Sequence, residues 1–161
     1  MAIKEFVITN PAAELAAIQQ EYELYKKMEH PNIVRQHGFY YGEVDGCKMA
    51  RIYMEYMPGG SLASVLKRFG TLHENLISLY VRQVLEGLDY LHSEGVIHRD
   101  IKPGNLLLDT HGGVKISDFG SCRQILPLAE AAAEGNIIHG TPPYMSWEAC
   151  PGCGCKASDG W

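Results

Sequence analysis

Residues 98–105 read His98-Arg99-Asp100-Ile101-Lys102-Pro103-Gly104-Asn105, and thirteen residues after Asn105 comes Asp118-Phe119-Gly120. Asp100 is a candidate base, and Lys102, two positions on, is a candidate phosphate contact. Asn105 and Asp118 each carry a side-chain oxygen. Magnesium is bound through oxygen, usually by a few protein groups together with substrate phosphates. Two short apolar stretches, Leu106–Leu108 and Val114–Ile116, flank a Gly112-Gly113 turn signal and predict a hairpin. That hairpin would bring Asn105 and Asp118 to one end, facing one small volume. Phosphoryl transfer asks mainly for positioning and charge neutralisation, and this set of residues suits it.

The flanking segments must hold that loop in place. Thr71 and Glu74 have capping-box spacing and predict a long helix to about Ser93, with Ile77, Tyr80, Val81, Val84, Leu88 and Leu91 as its buried stripe. Gly95 ends it, and Val96-Ile97 leads into residues 98–105. Ahead of this helix, residues 61–69 read as a shorter one stopped by Gly70. Residues 33–41 and 48–56 read as strands joined by a turn with Gly42 and Asp45-Gly46. The second runs into Pro58-Gly59-Gly60, an abrupt connection. Residues 1–7 alternate like a strand, with Lys4 between apolar neighbours. Asn10-Pro11 opens a helix whose face is Leu15, Ile18, Tyr22 and Tyr25. Glu21 borders that seam, where a carboxylate wants a cation. His73 and His92 show no partner pattern and read as helix-surface residues.

At 161 residues, 46% of them hydrophobic, the chain fits one domain with a core. No apolar run is as long as a membrane span, and no signal-peptide profile opens the chain. A net charge of −5 gives no general reason to expect nucleic-acid or anionic-membrane binding. Five cysteines in such a chain predict reduced thiols in the cytoplasm or nucleus, and a cytoplasmic setting is expected.

The segment from His98 to Gly120 resembles the catalytic loop and metal-binding motif of the eukaryotic protein kinases. The resemblance implies an α+β, two-lobed kinase fold, here partial. Residues 1–54 would belong to an antiparallel small lobe with its helix C. Residues 55–60 would form a hinge, and residues 61–161 a helical large lobe ending at the start of helix F. It also implies roles. Asp100 would orient or deprotonate the substrate hydroxyl, Lys102 would neutralise the moving phosphoryl, and Asn105 and Asp118 would hold magnesium. Ala2-Ile3-Lys4 resembles the strand-lysine motif, so Lys4 would bind the ATP phosphates with Glu21 holding it. Ala2, Met54 (the gatekeeper) and Leu107 would border the adenine, and backbone groups of Glu55 and Met57 would meet its edge. His98 would be structural. Gly140-Thr141-Pro142 resembles the end of an activation segment, with Thr141 touching Asp100 and Lys102, as in serine/threonine kinases. Residues 156–161 resemble the start of helix F, with a buried Asp and Trp. The run from Met54 to Phe119 is most similar to the MAP kinase kinase kinase group, which implies a protein substrate such as a MAP kinase kinase.

The match departs from the family pattern in places. No glycine-rich loop precedes Lys4, and little of the helical lobe follows, so apolar surface should be exposed on the long helix and at Trp161. Trp147 stands where the family has proline. Between Ser121 and Thr141 no hydroxyl residue offers a phosphate to Arg99, and Glu130 and Glu134 could supply standing charge instead. Cys150, Cys153 and Cys155 cluster, yet structural zinc wants four ligands, so a reduced loop is expected. The alternatives to an enzyme acting on proteins are a non-catalytic scaffold that binds a partner kinase and a small-molecule phosphotransferase.

Overall fold

A computed structural model describes residues 1–124, 140–146 and 155–160. The first sheet has the order β1-β3-β2 and is antiparallel throughout, with β1 at Ala2–Val7, β2 at Gln36–Val44 and β3 at Cys47–Met54. A two-residue turn joins β2 to β3 at Asp45 and Gly46, both at positive φ, the geometry that matches strand twist in a tight hairpin. The strands therefore lie at 36–44 and 47–54 instead of the expected 33–41 and 48–56. Residues 32–34 are drawn elsewhere. Val34 N–H donates to Ile116 O at 2.9 Å and Ile116 N–H to Asn32 O at 2.8 Å, tying this stretch to a different sheet.

Helix α1 (Pro11–Tyr25) crosses this sheet, with Pro11 in its first turn where a missing N–H costs nothing. Asn10 occupies the N-cap, as expected, but its side chain makes no capping bond. Glu14 instead turns back to accept from Thr9 N–H at 2.9 Å and Thr9 Oγ1 at 2.7 Å. Ile18 packs with Ile8, Ala50 and Ile52 into a small core under the sheet.

The larger core belongs to α3 (Glu74–Ser93) and the second antiparallel sheet, β4-β6-β7, formed by Gly60–Ser61, Leu106–Leu108 and Val114–Ile116. The expected hairpin is β6–β7, paired Leu106 to Ile116. Helix α2 (Leu62–Phe69) is capped by Ser61, whose Oγ accepts from Ser64 N–H at 3.2 Å, and stops at Gly70 with φ 77°.

Two expectations for α3 fail. The Thr71–Glu74 capping box does not form, because the first turn closes on His73, whose carbonyl accepts from both Leu76 and Ile77. Leu72 is packed against the core just ahead of the helix, and Glu74 falls at the first helical position instead of the third. Nor are Ile77 and Val81 buried; they are 46% and 51% exposed. The buried residues are Tyr80, Val84, Gly87, Leu88 and Leu91, where the helix lies on β5 (Val96–Ile97) and β7. At Gly87 a Cβ would sit 3.0 Å from Asn32 O and Ile116 Cδ1, so any side chain there would push against the chain packed on the helix. Exposed apolar surface on the long helix was the other half of the expectation, and Ile77, Val81 and Leu85 provide it. Strand β8 (Arg123–Gln124) pairs with β5. Among the described residues no helix is long and apolar enough to cross a membrane.

Candidate active site

The loop after β5 is anchored from a distance. Asp159, 4% exposed, accepts from His98 N–H at 2.8 Å and Arg99 N–H at 2.7 Å. His92 Nε2 lies 2.8 Å from the same carboxylate, so His92 is a partner of this anchor and not a surface residue. Its place at the C-terminal end of α3 turns it toward the loop, which helical periodicity could not reveal. Removing the Asp159 carboxylate strands the buried His98 N–H and the partly buried Arg99 N–H, at a cost of about 1–3 kcal/mol for a fully buried donor. We expect Asp159→Ala to lower stability by about 2–5 kcal/mol, visible as a fall in the thermal midpoint. An unchanged midpoint would mean that the anchor is idle.

His98 is wholly buried. Its Nδ1 accepts from Asp100 N–H at 3.3 Å and its Nε2 faces Ser117 O at 3.1 Å, so Nε2 carries the proton. Burial pushes its pKa down despite the Asp159 charge nearby, which keeps the ring neutral and structural.

Asp100 stands at the centre of a closed set. Its Oδ2 accepts from Lys102 Nζ at 2.7 Å and from Asn105 Nδ2 at 3.0 Å. Its Oδ1 accepts from Thr141 Oγ1 at 2.6 Å, and that hydroxyl accepts from Lys102 Nζ at 2.6 Å. Burial alone would raise the Asp100 pKa, but the Lys102 ammonium, the Thr141 hydroxyl and the Asn105 amide outweigh it and hold it below the usual carboxylate value. Its contribution to stability is thus present above the ordinary carboxylate pKa and is lost as pH falls through the depressed one. Asn105 is fixed by its bond to Asp100 O at 2.8 Å, and its own carbonyl accepts from Ser117 N–H and Oγ, both at 2.9 Å.

Asp118 adopts a left-handed conformation at φ 64°, just past β7. Lys4 Nζ lies between two carboxylates, 2.9 Å from Asp118 Oδ1 and 3.2 Å from Glu21 Oε1. Burial would lower the Lys4 pKa, but the Asp118 hydrogen bond and the Glu21 and Asp118 charges raise it overall, so the ammonium stays charged. These three residues border a cavity of about 260 Å³ whose apolar walls include Ile3, Val34, Ile52, Met54, Leu107 and Phe119. The expected cavity residues Lys4, Glu21, Met54, Leu107 and Asp118 are therefore brought together, while Ala2, Glu55 and Met57 do not line it. Ala2 pairs with Met54 in the ladder. The Glu55 carboxylate turns away to Lys115 Nζ at 2.7 and 2.8 Å. The Glu55 carbonyl and the Met57 N–H take no hydrogen bond among the described residues, so the backbone groups of the expected hinge are unengaged.

Sequence reasoning did not find the Glu55–Lys115 bridge. Its only signal was the alternation of Lys115 between buried Val114 and Ile116. It also missed the ring stack behind Asp118, where Tyr25 lies 4.3 Å from Phe119 and His98 meets the edge of Phe119 at 5.6 Å. The Tyr25 hydroxyl is buried, faces the Cys122 thiol, and closes no conventional hydrogen bond. Tyr25→Phe keeps the stack and removes that polar atom. We expect it to raise stability by about 1 kcal/mol, checked by denaturant unfolding; a loss of stability would show that the hydroxyl is bonded.

Trp147, Glu130, Glu134, Cys150, Cys153 and Trp161 lie outside the described residues. Among the described residues no three His, Cys, Asp or Glu side chains are grouped to hold a metal by themselves.

The protein kinase domain model matches residues 1–161. The cytokinesis protein sepH of Aspergillus niger is 42% identical over the whole chain, which covers 12% of that protein. Mitogen-activated protein kinase kinase kinase 3 of Mus musculus is 39% identical over 92% of the chain and 24% of its own length. Cell division control protein 7 of Schizosaccharomyces pombe is 42% identical over 92% of the chain and 13% of its length. The chain thus spans a quarter or less of these relatives, and within that span sequence and site geometry agree: it belongs to the protein kinase domain family.

Proposed function

We propose that the protein is a serine/threonine protein kinase that transfers the γ-phosphoryl of ATP to a protein hydroxyl. The observation that carries this reading is the closed set of Asp100, Lys102, Thr141 and Asn105 beside a cavity that Lys4, Glu21 and Asp118 border. Asp100 orients the acceptor hydroxyl and receives its proton, since its carboxylate is held ionised. Lys102 meets the charge on the moving phosphoryl, and Lys4 meets the phosphates that stay with the nucleotide. In this reading residues 55–60 serve as the hinge: the adenine lies against Leu107 and Met54 of the cavity wall and extends beyond that wall to meet Ala2, the unengaged Glu55 carbonyl and the Met57 N–H.

The donor set fits magnesium. Asn105 Oδ1 and Asp118 Oδ2 accept no hydrogen bond among the described residues, leaving two oxygens for a hard cation. When bound, the metal supplies charge neutralisation at the phosphate oxygens. The kinship with mitogen-activated protein kinase kinase kinases supports a place in a phosphorylation cascade, with a MAP kinase kinase as substrate; the cytoplasmic setting rests on the expectation of reduced thiols.

The test is transfer of label from γ-labelled ATP with magnesium to serine/threonine peptides and to a MAP kinase kinase, followed by phosphoamino-acid analysis. The expected label is on serine or threonine. ATP binding without any transfer to protein would leave the non-catalytic scaffold as the better reading.

A further inference from the structure

The chain that leaves β3 is pressed onto β6 more closely than a side chain allows. Residues 57–60 close a turn in which Gly60 N–H donates to Met57 O at 3.2 Å, with Pro58 restricting its second position. Gly59 N–H donates to Leu108 O at 2.9 Å, and β4 follows at once, paired Gly60 to Leu108 and Ser61 to Leu107. A Cβ on Gly59 would lie 2.7 Å from both Leu108 O and Leu108 Cβ, and 3.0 Å from Leu108 C. Gly59 is outside the left-handed region, so its own backbone would accept alanine. The contact is what excludes it. Leu108 has little room to yield, because it is buried in the larger core and its strand is paired with β7. An added methyl would therefore lift the turn, by about 0.7 Å to pass from 2.7 Å to the 3.4 Å of ordinary contact. Lifting would carry Met57, whose carbonyl closes the turn, away from Leu107 of the cavity wall.

We infer that Gly59 is a positioning residue for the nucleotide: lying flat on Leu108, it sets the distance between the Met57 N–H and the Leu107 side chain, and so the slot that holds a planar purine base. The inference deepens the nucleotide-site reading and rests on its hinge. Gly59 touches no ligand and acts through Met57. A hydrogen bond weakens steeply once its distance and angle leave the favoured range, so a shift of this size falls on base recognition. Lys4, the phosphate contact of that reading, stands on β1, and the turn does not carry it.

The experiment measures Kd for Mg·ATP, for adenosine (base without phosphates) and for Mg·tripolyphosphate (phosphates without base), with kcat at saturating ATP. The proteins are the wild-type chain, Gly59→Ala and the control Gly38→Ala, where a Cβ would meet nothing nearer than 3.8 Å. Gly59→Ala should weaken Mg·ATP and adenosine about tenfold and leave Mg·tripolyphosphate and kcat within about twofold, while Gly38→Ala leaves all four within that margin. Equal weakening of all three ligands would overturn the inference, since a merely structural role loosens the whole site. Hydrogen exchange at the Gly59 amide of the wild type is read in parallel, so that a poorly folded variant does not decide the outcome. Mg·ATP should slow it about tenfold and Mg·tripolyphosphate should not, because a base held at Met57 secures the turn from its other side. The same exchange rate with and without Mg·ATP would also defeat the proposal. If adenosine competes with Mg·ATP on the wild type and Gly59→Ala binds both unchanged, the inference fails alone. If adenosine does not compete, the base-binding reading of residues 55–60 fails and takes the inference with it.

Discussion

Asp100→Asn should lower kcat for phosphoryl transfer by about 10²–10⁴-fold while leaving the affinity for Mg·ATP nearly unchanged. The split follows from position. Asp100 touches Lys102, Thr141 and Asn105 and does not line the cavity, so in the proposed reaction its charge would serve the acceptor hydroxyl and not the nucleotide. Asparagine keeps the shape, and with its one oxygen toward Lys102 Nζ its amide can donate to Thr141 Oγ1, but it cannot take a proton. The measurement is a kcat and nucleotide Kd pair on the purified variant. A variant that retains full turnover would remove Asp100 from the chemistry, whatever its hydrogen bonds.

Asp118→Asn should act on the opposite side. It removes a carboxylate from the proposed metal site and one of the two anions that flank Lys4. Loss of one preorganised charge that the transition state uses costs about 10²–10³ in kcat. The affinity for Mg·ATP should fall with it. Metal-free ATP should bind as well as before or better, because Lys4 then faces only Glu21 and has more positive field to offer the phosphates. Titrating ATP with and without magnesium separates the two effects. If magnesium strengthens ATP binding equally in wild type and variant, Asp118 is not a metal ligand.

What the sequence revealed depended on how local the determining interactions are. The β6–β7 hairpin, the short helix before Gly70, the Gly70 stop and the His98-to-Asn105 loop are encoded by neighbours, and all appear where their residue types put them. The triangle of Thr141 with Asp100 and Lys102 was available only through family resemblance, since nothing in local chemistry links positions 39 and 41 apart. The errors are also physical. Residues 32–34 carry a strand-like pattern, but they satisfy their backbone against Ile116 and not against β3. The apolar stripe of α3 was read by period alone, and period does not say where along the helix its neighbours stop, so Ile77 and Val81 were misplaced. The roles of His92 and Gly59 became legible only when the fold supplied a carboxylate to one and a close-packed strand to the other.

The Asp159 anchor also bears on how the protein is made. The amides it holds belong to His98 and Arg99, 61 and 60 residues earlier in the chain. On a ribosome adding about 5–20 residues per second, the loop emerges about 3–12 s before its clamp exists. Through that interval the β6–β7 hairpin can form from local pairing, whereas the turn at Arg99, with φ 65°, lacks the carboxylate that holds it. Assembly of the loop is therefore a late, long-range event in biogenesis, the kind of contact whose closure slows folding. A nascent chain arrested short of residue 159 should display a formed hairpin and an unset loop, a state open to capture by chaperones that a finished chain no longer offers.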